Sequence, residues 1–116
     1  MPFDALPEFQ TQKQRDLTVL RSAVDGLRQP DSWITGVYHH GTRHCAIGWL
    51  QNFVGGHEVP RIAAVYLVPV LPWRLFGHPK EPTEAVVKFN DRTTQEKVIR
   101  LFERAIRRAE RMESMS

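Results

Sequence analysis

The sequence predicts a mainly α-helical protein, with a single compact domain of about four helices and at most a small β-hairpin. Apolar residues recur at helical spacing in two long segments, one near each end of the chain. The apolar segments between them are short and are separated by glycine and proline. The length of 116 residues suits one domain. We place this domain at residues 11–113, between a flexible arm at 1–10 and a frayed tail at 114–116.

The first helix is predicted to begin at about Thr11. Its apolar residues follow spacings of three, four and three, which place them on one helical face. Pro30 ends the helix because proline disfavours helical geometry in the residue before it. The residues of this stripe are Leu17, Leu20, Val24 and Leu27.

The segment after the first helix predicts at most a small hairpin. Residues 33–38 are aromatic and β-branched, which is typical of a strand or an extended arm. Gly41 is the expected turn residue. Pairing of residues 37–38 with residues 43–45 would give a hairpin that is too small to be stable alone.

Glycine and proline set the bounds of two further helices. Residues 45–54 are predicted as a mostly buried helix that ends at the glycine pair beginning with Gly55. The next helix begins at Pro60, since proline is favoured in the first turn, and runs to about residue 68. One additional turn is predicted at residues 73–77.

The last part of the chain contains the strongest helix signal. Residues 78–82 predict a loop because they include two prolines, and residues 85–89 predict a brief β-prone segment. Thr93 and Glu96 have the spacing of a capping box, which marks the start of a helix. The apolar residues of that helix are Val98, Leu101, Phe102, Ala105, Ile106 and Ala109.

Composition predicts a soluble, cytoplasmic protein. Hydrophobic content of 41% and charged content of 25% are ordinary globular values. The single cysteine cannot form an intramolecular disulfide, which favours a reducing compartment. Residues 1–10 lack the features of a signal peptide, and the longest apolar run, residues 62–71, is about half of a membrane span. We therefore expect no membrane association.

Three short motifs follow one another along the chain. Residues 33–36 read Trp-x-x-Gly, residues 45–50 read Cys-Ala-Ile-Gly-Trp-Leu, and residues 90–98 contain Asn-Asp followed by a threonine and a valine. The residues that make up these motifs are Trp33, Gly36, Cys45, Ala46, Ile47, Gly48, Leu50, Asn90, Asp91, Thr94 and Val98.

In the order and spacing of these motifs the chain resembles an uncharacterised family of small domains found in bacteria, especially actinomycetes, and in their phages. Members of this family have Trp-Asn-Asp where this chain has Phe89 before Asn90. The resemblance covers about residues 17–50 and 86–109. It implies that the motifs lie together in the fold, and the family has no established activity to transfer.

Cys45 is the first candidate for chemistry. A thiol at a helix N-terminus experiences the positive end of the helix dipole, which lowers its pKa and populates the nucleophilic thiolate. The residues that could supply or orient a base are His40, His44, His57, Asn90 and Asp91. The alternative, which the apolar neighbours of Cys45 favour, is a small buried hydrophobe.

Asn90 and Asp91 allow three interpretations. Asp91 could cap the last helix, because a carboxylate in that place accepts backbone N–H groups. Asn90 or Asp91 could instead reach back to the helix that begins at Cys45 and bind its free N–H groups. The third interpretation is a metal-binding or catalytic carboxylate. Capping and tethering are favoured over the third.

The histidine-rich turn predicts no metal site. His39, His40 and His44 are close in sequence, and Cys45 would be a fourth ligand. This set matches none of the paired spacings of zinc motifs. Adjacent residues of an extended chain also point to opposite faces. We predict neither a metal nor another cofactor.

The last helix has a row of basic residues away from its apolar stripe. The net charge of +3 is compatible with an anionic partner, and a basic row can follow a phosphate backbone. The i,i+4 pairs Glu96–Arg100 and Glu103–Arg107 are expected to neutralise part of the row. We call these residues the basic row: Lys97, Arg100, Arg104, Arg107, Arg108 and Arg111.

Residues 66–76 form the most apolar segment of the chain. Much of it is expected to complete the core, but a proline-broken segment that contains Tyr66, Trp73 and Phe76 is typical of an exposed aromatic contact surface. We expect these three side chains to contact an unknown protein partner or a second copy of the chain.

The predicted function is a small non-enzymatic binding or regulatory module of phage or mobile-element origin. It would bind a protein through the aromatic segment or an acidic partner through the last helix. One alternative is a small cysteine-dependent hydrolase or transferase that uses Cys45, a histidine and Asp91. The other is a weak nucleic-acid binder through the basic row.

Overall fold

The structure, a computed structural model, describes residues 11–72 and 81–115, with side chains up to Met112. Within these ranges the chain forms five helical segments and one two-stranded hairpin. The predicted mainly helical class with a small hairpin is therefore confirmed. The arm at residues 1–10 and the turn at residues 73–77 lie outside the described residues.

The first helix, α1 (Gln12–Leu27), begins as the sequence predicts. Thr11 Oγ1 accepts a hydrogen bond from the backbone N–H of Gln14, and Gln14 Oε1 accepts one from the N–H of Thr11. This reciprocal pair satisfies two of the donors that a helix start leaves free. The four residues of the predicted apolar stripe are all buried.

The hairpin is shorter than predicted. Strand β1 (His39–His40) pairs antiparallel with β2 (Arg43–His44), and Gly41 makes the turn with a φ of +65°. Residues 33–38 form no strand, although Trp33 makes an isolated parallel bridge with His44. The chain enters the hairpin through a bent segment, so residues 37–38 lie outside the strand, although the Tyr38 carbonyl still accepts the backbone N–H of Cys45 at 3.0 Å.

Helix α2 (Ala46–Gln51) is also shorter than the predicted 45–54, because Cys45 is its N-cap and turns begin at Asn52. The third helix, α3, changes geometry along its length. It is α-helical at Val59–Ile62, π-helical at Ala63–Leu67 and 3-10 at Val68–Val70. Pro69 has no N–H to donate, so the regular α-helical ladder cannot continue through it.

Helix α4 (Pro82–Arg92) replaces the β-prone segment that the sequence predicts at residues 85–89, so that prediction is wrong. Pro82 stands in the first turn, where proline favours a helix. Ala85, Val86 and Phe89 lie at helical spacing and are all buried. Burial of this face overrides the strand preference of valine and phenylalanine.

The last helix, α5 (Gln95–Met115), extends into the tail predicted at residues 114–116. Its capping residue is Thr94, whose hydroxyl accepts a hydrogen bond from the backbone N–H of Lys97 at 3.3 Å. Thr93 instead donates to the carbonyl of Phe89 at 2.7 Å and ends α4. The N-cap is therefore Thr94 and not the predicted Thr93, and no capping box forms there, because Lys97 at the third helical position has no side-chain acceptor.

The core lies where α1 packs against α5 and α2, and where α4 packs against α2 and α3. Its largest fully buried side chains include Phe102 of α5, Leu20 of α1 and Ile47 of α2. Within the described ranges no helix is both long and apolar enough to span a membrane. This packing brings the N-terminus of α2 next to α4, where the sequence motifs meet.

Candidate functional site

Asn90 of α4 is completely buried and joins three separate parts of the chain. Its Oδ1 accepts hydrogen bonds from the Trp33 indole N–H at 2.7 Å and from the backbone N–H of Ala46 at 3.0 Å. Its Nδ2 donates to the carbonyl of Ile34 at 3.0 Å and to Asp91 Oδ1 at 3.2 Å. Every hydrogen-bonding position of the amide is used. We call Asn90 and these four partners the Asn90 junction.

Asp91 adds a second link between α4 and the segment before the hairpin. Its Oδ1 also accepts the backbone N–H of Gly36 at 3.0 Å. Gly36 has a φ of +84°, in the left-handed region that favours glycine. Asp91 lies within α4 and not before α5, so the hypothesis that it caps the last helix is wrong. The tether to the start of α2, which the sequence left open, is made by Asn90.

Cys45 caps α2 with its sulfur. Its Sγ accepts the backbone N–H of Gly48 at 3.4 Å, and the residue is only 1% exposed. Burial raises the pKa of the Cys45 thiol more than its backbone hydrogen bonds lower it, and the nearby charge of Asp91 also raises it. No hydrogen bond joins Cys45 to an imidazole among the described residues. These conditions disfavour the thiolate.

The close approach of the Tyr38 carbonyl explains why the motif has glycine at position 48, in the first turn of α2. A Cβ atom at this position would lie 2.2 Å from the carbonyl oxygen of Tyr38. That carbonyl accepts the backbone N–H of Cys45 at 3.0 Å, so the segment before the hairpin is held directly on the helix. Only a residue without a side chain allows this approach.

His39 and His44 contact each other, and neither is hydrogen-bonded to Cys45. His39 Nδ1 and His44 Nδ1 are 2.7 Å apart, and His39 Nε2 is 2.7 Å from Gln51 Oε1. His44 packs edge-on against Trp49. Burial lowers the pKa of His44, and the neighbouring His39 lowers it further. Within the described ranges no group of three or more histidine, cysteine, aspartate or glutamate side chains could hold a metal ion.

A buried carboxylate that the sequence analysis missed lies on α1. Asp16 is 2% exposed and forms a two-pronged ion pair with Arg61, with both N–O distances at 2.8 Å. It also accepts hydrogen bonds from the Tyr66 hydroxyl at 2.8 Å and from Gln12 Nε2 at 3.0 Å. The sequence contained one signal of its burial: Asp16 is four residues before Leu20, and this spacing places it on the apolar face of the helix.

The aromatic segment does not present Tyr66 to a partner. Tyr66 is buried and its hydroxyl is bound to Asp16, so its predicted contact with a protein partner is wrong. It belongs to the core because the π-helical turn of α3 faces α4 and α5. Trp73 and Phe76 lie outside the described residues.

Of the two glutamates of α5 that were expected to neutralise the basic row, Glu103 pairs outside the helix, with Arg28, the residue that follows α1. Glu110, for which no pair was predicted, binds Arg21 of α1 at 2.6 Å. The predicted Glu103–Arg107 pair is therefore wrong, because Arg28 takes the carboxylate. The predicted Glu96–Arg100 pair is present at 2.5 Å.

The basic row keeps most of its positive charge. At 100° per residue all six of its residues lie within an arc of about 100° on α5. Arg104 and Arg107 are exposed and Arg108 is half-buried. The ion pairs and side-chain hydrogen bonds among the described residues include none from Lys97 or from these three arginines. Four of the six basic side chains therefore have no ion pair among the described residues.

Comparison with known proteins gives one match. The model of a family of unknown function (DUF6197) matches residues 11–108. No curated protein and no solved structure matches the chain. The matched range includes the Asn90 junction and most of the basic row.

Replacement of Asn90 by aspartate tests the junction. Asn90→Asp keeps one acceptor but turns the donor into an oxygen that faces the carbonyl of Ile34 and the carboxylate of Asp91. We expect the free energy of unfolding at pH 7, measured in urea, to fall by about 3 kcal/mol. Asn52→Asp, at an exposed position, is the control and should change it by less than about 0.5 kcal/mol. Equal small losses in both variants would contradict the role of the junction.

Acid denaturation tests the Asp16 cluster. Burial raises the pKa of Asp16, but the hydrogen bonds from Arg61, Gln12 and Tyr66 and the charge of Arg61 together bring it below its usual 3.8. A lowered pKa contributes stability above pH 3.8 that is lost as the pH falls through the folded-state value. Asp16→Asn should cost about 3 kcal/mol at pH 7 and flatten the loss of stability below about pH 4. The exposed variant Asp25→Asn should keep the wild-type profile, and an unchanged acid slope in Asp16→Asn would refute the assignment.

Proposed function

The chain belongs to this family of unknown function, DUF6197, and we propose that it is a non-enzymatic binding module that holds an anionic partner on the basic row of α5. One observation carries the proposal: Lys97, Arg104, Arg107 and Arg108 have no acidic partner among the described residues. Like charges that are close together on one helix repel each other, and an anionic ligand removes this repulsion.

The pairing between α1 and α5 supports the proposal. Glu110 binds Arg21 of α1 and Glu103 binds Arg28, which follows α1, so they hold the two helices together and do not screen the basic row. Surface ion pairs contribute only about 0–1 kcal/mol each to stability. We infer that these two ion pairs matter more for binding than for stability, because they leave the charge of the row available to a partner.

The geometry of Cys45 favours a module without thiol chemistry. A catalytic thiol needs access to substrate and a populated thiolate. Cys45 is 1% exposed, its Sγ accepts a backbone N–H, and burial raises its pKa. No observation on the described residues supports the cysteine-dependent hydrolase or transferase.

The setting that we propose is a bacterial cytoplasm, with a phage-related origin. The single thiol fits a reducing compartment because it has no partner for a disulfide within the chain. The phage-related origin rests on the resemblance of the motifs alone.

Heparin, a generic polyanion, tests the proposed binding surface. The variant Arg104→Gln/Arg107→Gln/Arg108→Gln removes three charges from the row. The control Lys13→Gln/Arg43→Gln/Lys88→Gln removes three charges from α1, β2 and α4. Wild type and control should be retained on immobilised heparin at a salt concentration of about 0.15 M, at which the row variant elutes.

The two variants have the same net charge, so the comparison separates the row from overall charge. Circular dichroism should show the same helical content in all three proteins, because none of the substituted basic side chains is buried and surface substitutions change stability little. Equal loss of retention in both variants would mean that net charge alone binds heparin, and the proposed function would fail.

A further inference from the structure

We infer that the anionic partner is the phosphate backbone of a nucleic-acid duplex, bound without sequence specificity. This inference rests on the proposed function and adds the class of ligand. Three properties of the basic row carry it: its length, its chemistry and the residues that it lacks.

The length of the row matches a run of phosphates. Lys97 and Arg111 are 14 residues apart, which corresponds to about 21 Å along an α-helix. One strand of a duplex has a phosphate at about every 3.4 Å along the axis, so this length covers about six phosphates. The row has six cationic residues. Because α5 is helical from Gln95 to Met115, they are held on one continuous element.

The chemistry of the row suits phosphate. Five of its six residues are arginines, and the planar guanidinium binds phosphate oxygens through two parallel N–H groups. Arg104 and Arg107 are exposed and make no ion pair among the described residues. Their donors are therefore available to a ligand without breaking an internal contact.

The absence of apolar groups from the row argues against an acidic protein as the partner. Protein interfaces have a desolvated core of aromatic and apolar residues that supplies most of the affinity. The arc occupied by the row contains only basic residues among the described side chains of α5. Met112 is the one large exposed hydrophobic residue among those side chains, and it lies outside this arc.

The lack of exposed aromatic side chains among the described residues of α5 favours a duplex over a single strand as the ligand. Proteins that bind single strands stack the bases on exposed aromatic side chains. The aromatic residue of α5 is Phe102, which is completely buried in the core. A basic row without aromatic side chains contacts phosphates well and lacks the aromatic stacking that favours unpaired bases. The contact is therefore electrostatic and sequence-independent.

Fluorescence anisotropy tests this inference with four labelled probes: a 20-base-pair DNA duplex, an RNA duplex of the same length, oligo-dT and polyglutamate. Wild type should bind a duplex with an affinity that falls as log K against log salt with a slope of about −3 to −4, since four unpaired cations each contribute about 0.9. The control variant of the heparin experiment should keep this slope. The row variant should bind at least about tenfold more weakly, with a slope reduced by about 3.

Binding to either duplex supports the inference, and a preference between them identifies DNA or RNA as the source of the phosphates. Tighter binding of oligo-dT than of the duplexes would overturn it. Row-dependent binding of polyglutamate without duplex binding would also overturn it but would leave the proposed function intact. If no probe binds and heparin retention is the same for both variants, the inference and the proposed function both fail.

Discussion

The side-chain amide of Asn90 is the interaction on which the motif region depends. The start of a helix leaves backbone N–H groups without partners, and a buried donor without a partner costs about 1–3 kcal/mol. Asn90 supplies an acceptor to Ala46, which is 44 residues away in the sequence, and shares it with the Trp33 indole 57 residues away. The same side chain returns two donors to Ile34 and Asp91. One buried amide therefore fixes α4 against α2 and against the segment that leads to the hairpin.

The junction and the proposed binding surface consist of different residues, so packing and binding are assigned to different parts of the protein. Asn90, Cys45 and Gly48 are buried and contact the protein itself. The row on α5 is mostly exposed. Two glutamates close to it are paired with residues outside the helix: Glu103 with Arg28 and Glu110 with Arg21. Neither glutamate therefore neutralises Arg107 or Arg111. Motif residues that resemble an active site in sequence are thus part of the structural framework, and the binding surface that we propose lies on the last helix.

Patterns of neighbouring residues predicted most of the fold correctly. The predictions that failed concern residues whose structure depends on contacts with distant parts of the chain. The apolar stripes of α1 and α5 were predicted correctly because helical periodicity is a property of neighbouring residues. Residues 85–89 were predicted incorrectly because burial against other helices overrides a strand preference. Asp16 was missed because Arg61 lies 45 residues away, and no local pattern indicates a pair at that distance. The Glu103–Arg107 pair was wrong for the same reason, since spacing within one helix contains no information about Arg28.

The reactivity of Cys45 toward iodoacetamide, measured by mass spectrometry across a urea series, tests most directly whether the motif region is a closed structural junction. We predict that the native thiol is inert and that the free energy of exposing it equals the free energy of global unfolding, because the sulfur is buried and bound to the first turn of α2. Rapid labelling in the absence of urea, with a rate that titrates below the ordinary pKa of a thiol, would contradict the structural assignment and restore Cys45 as a nucleophile.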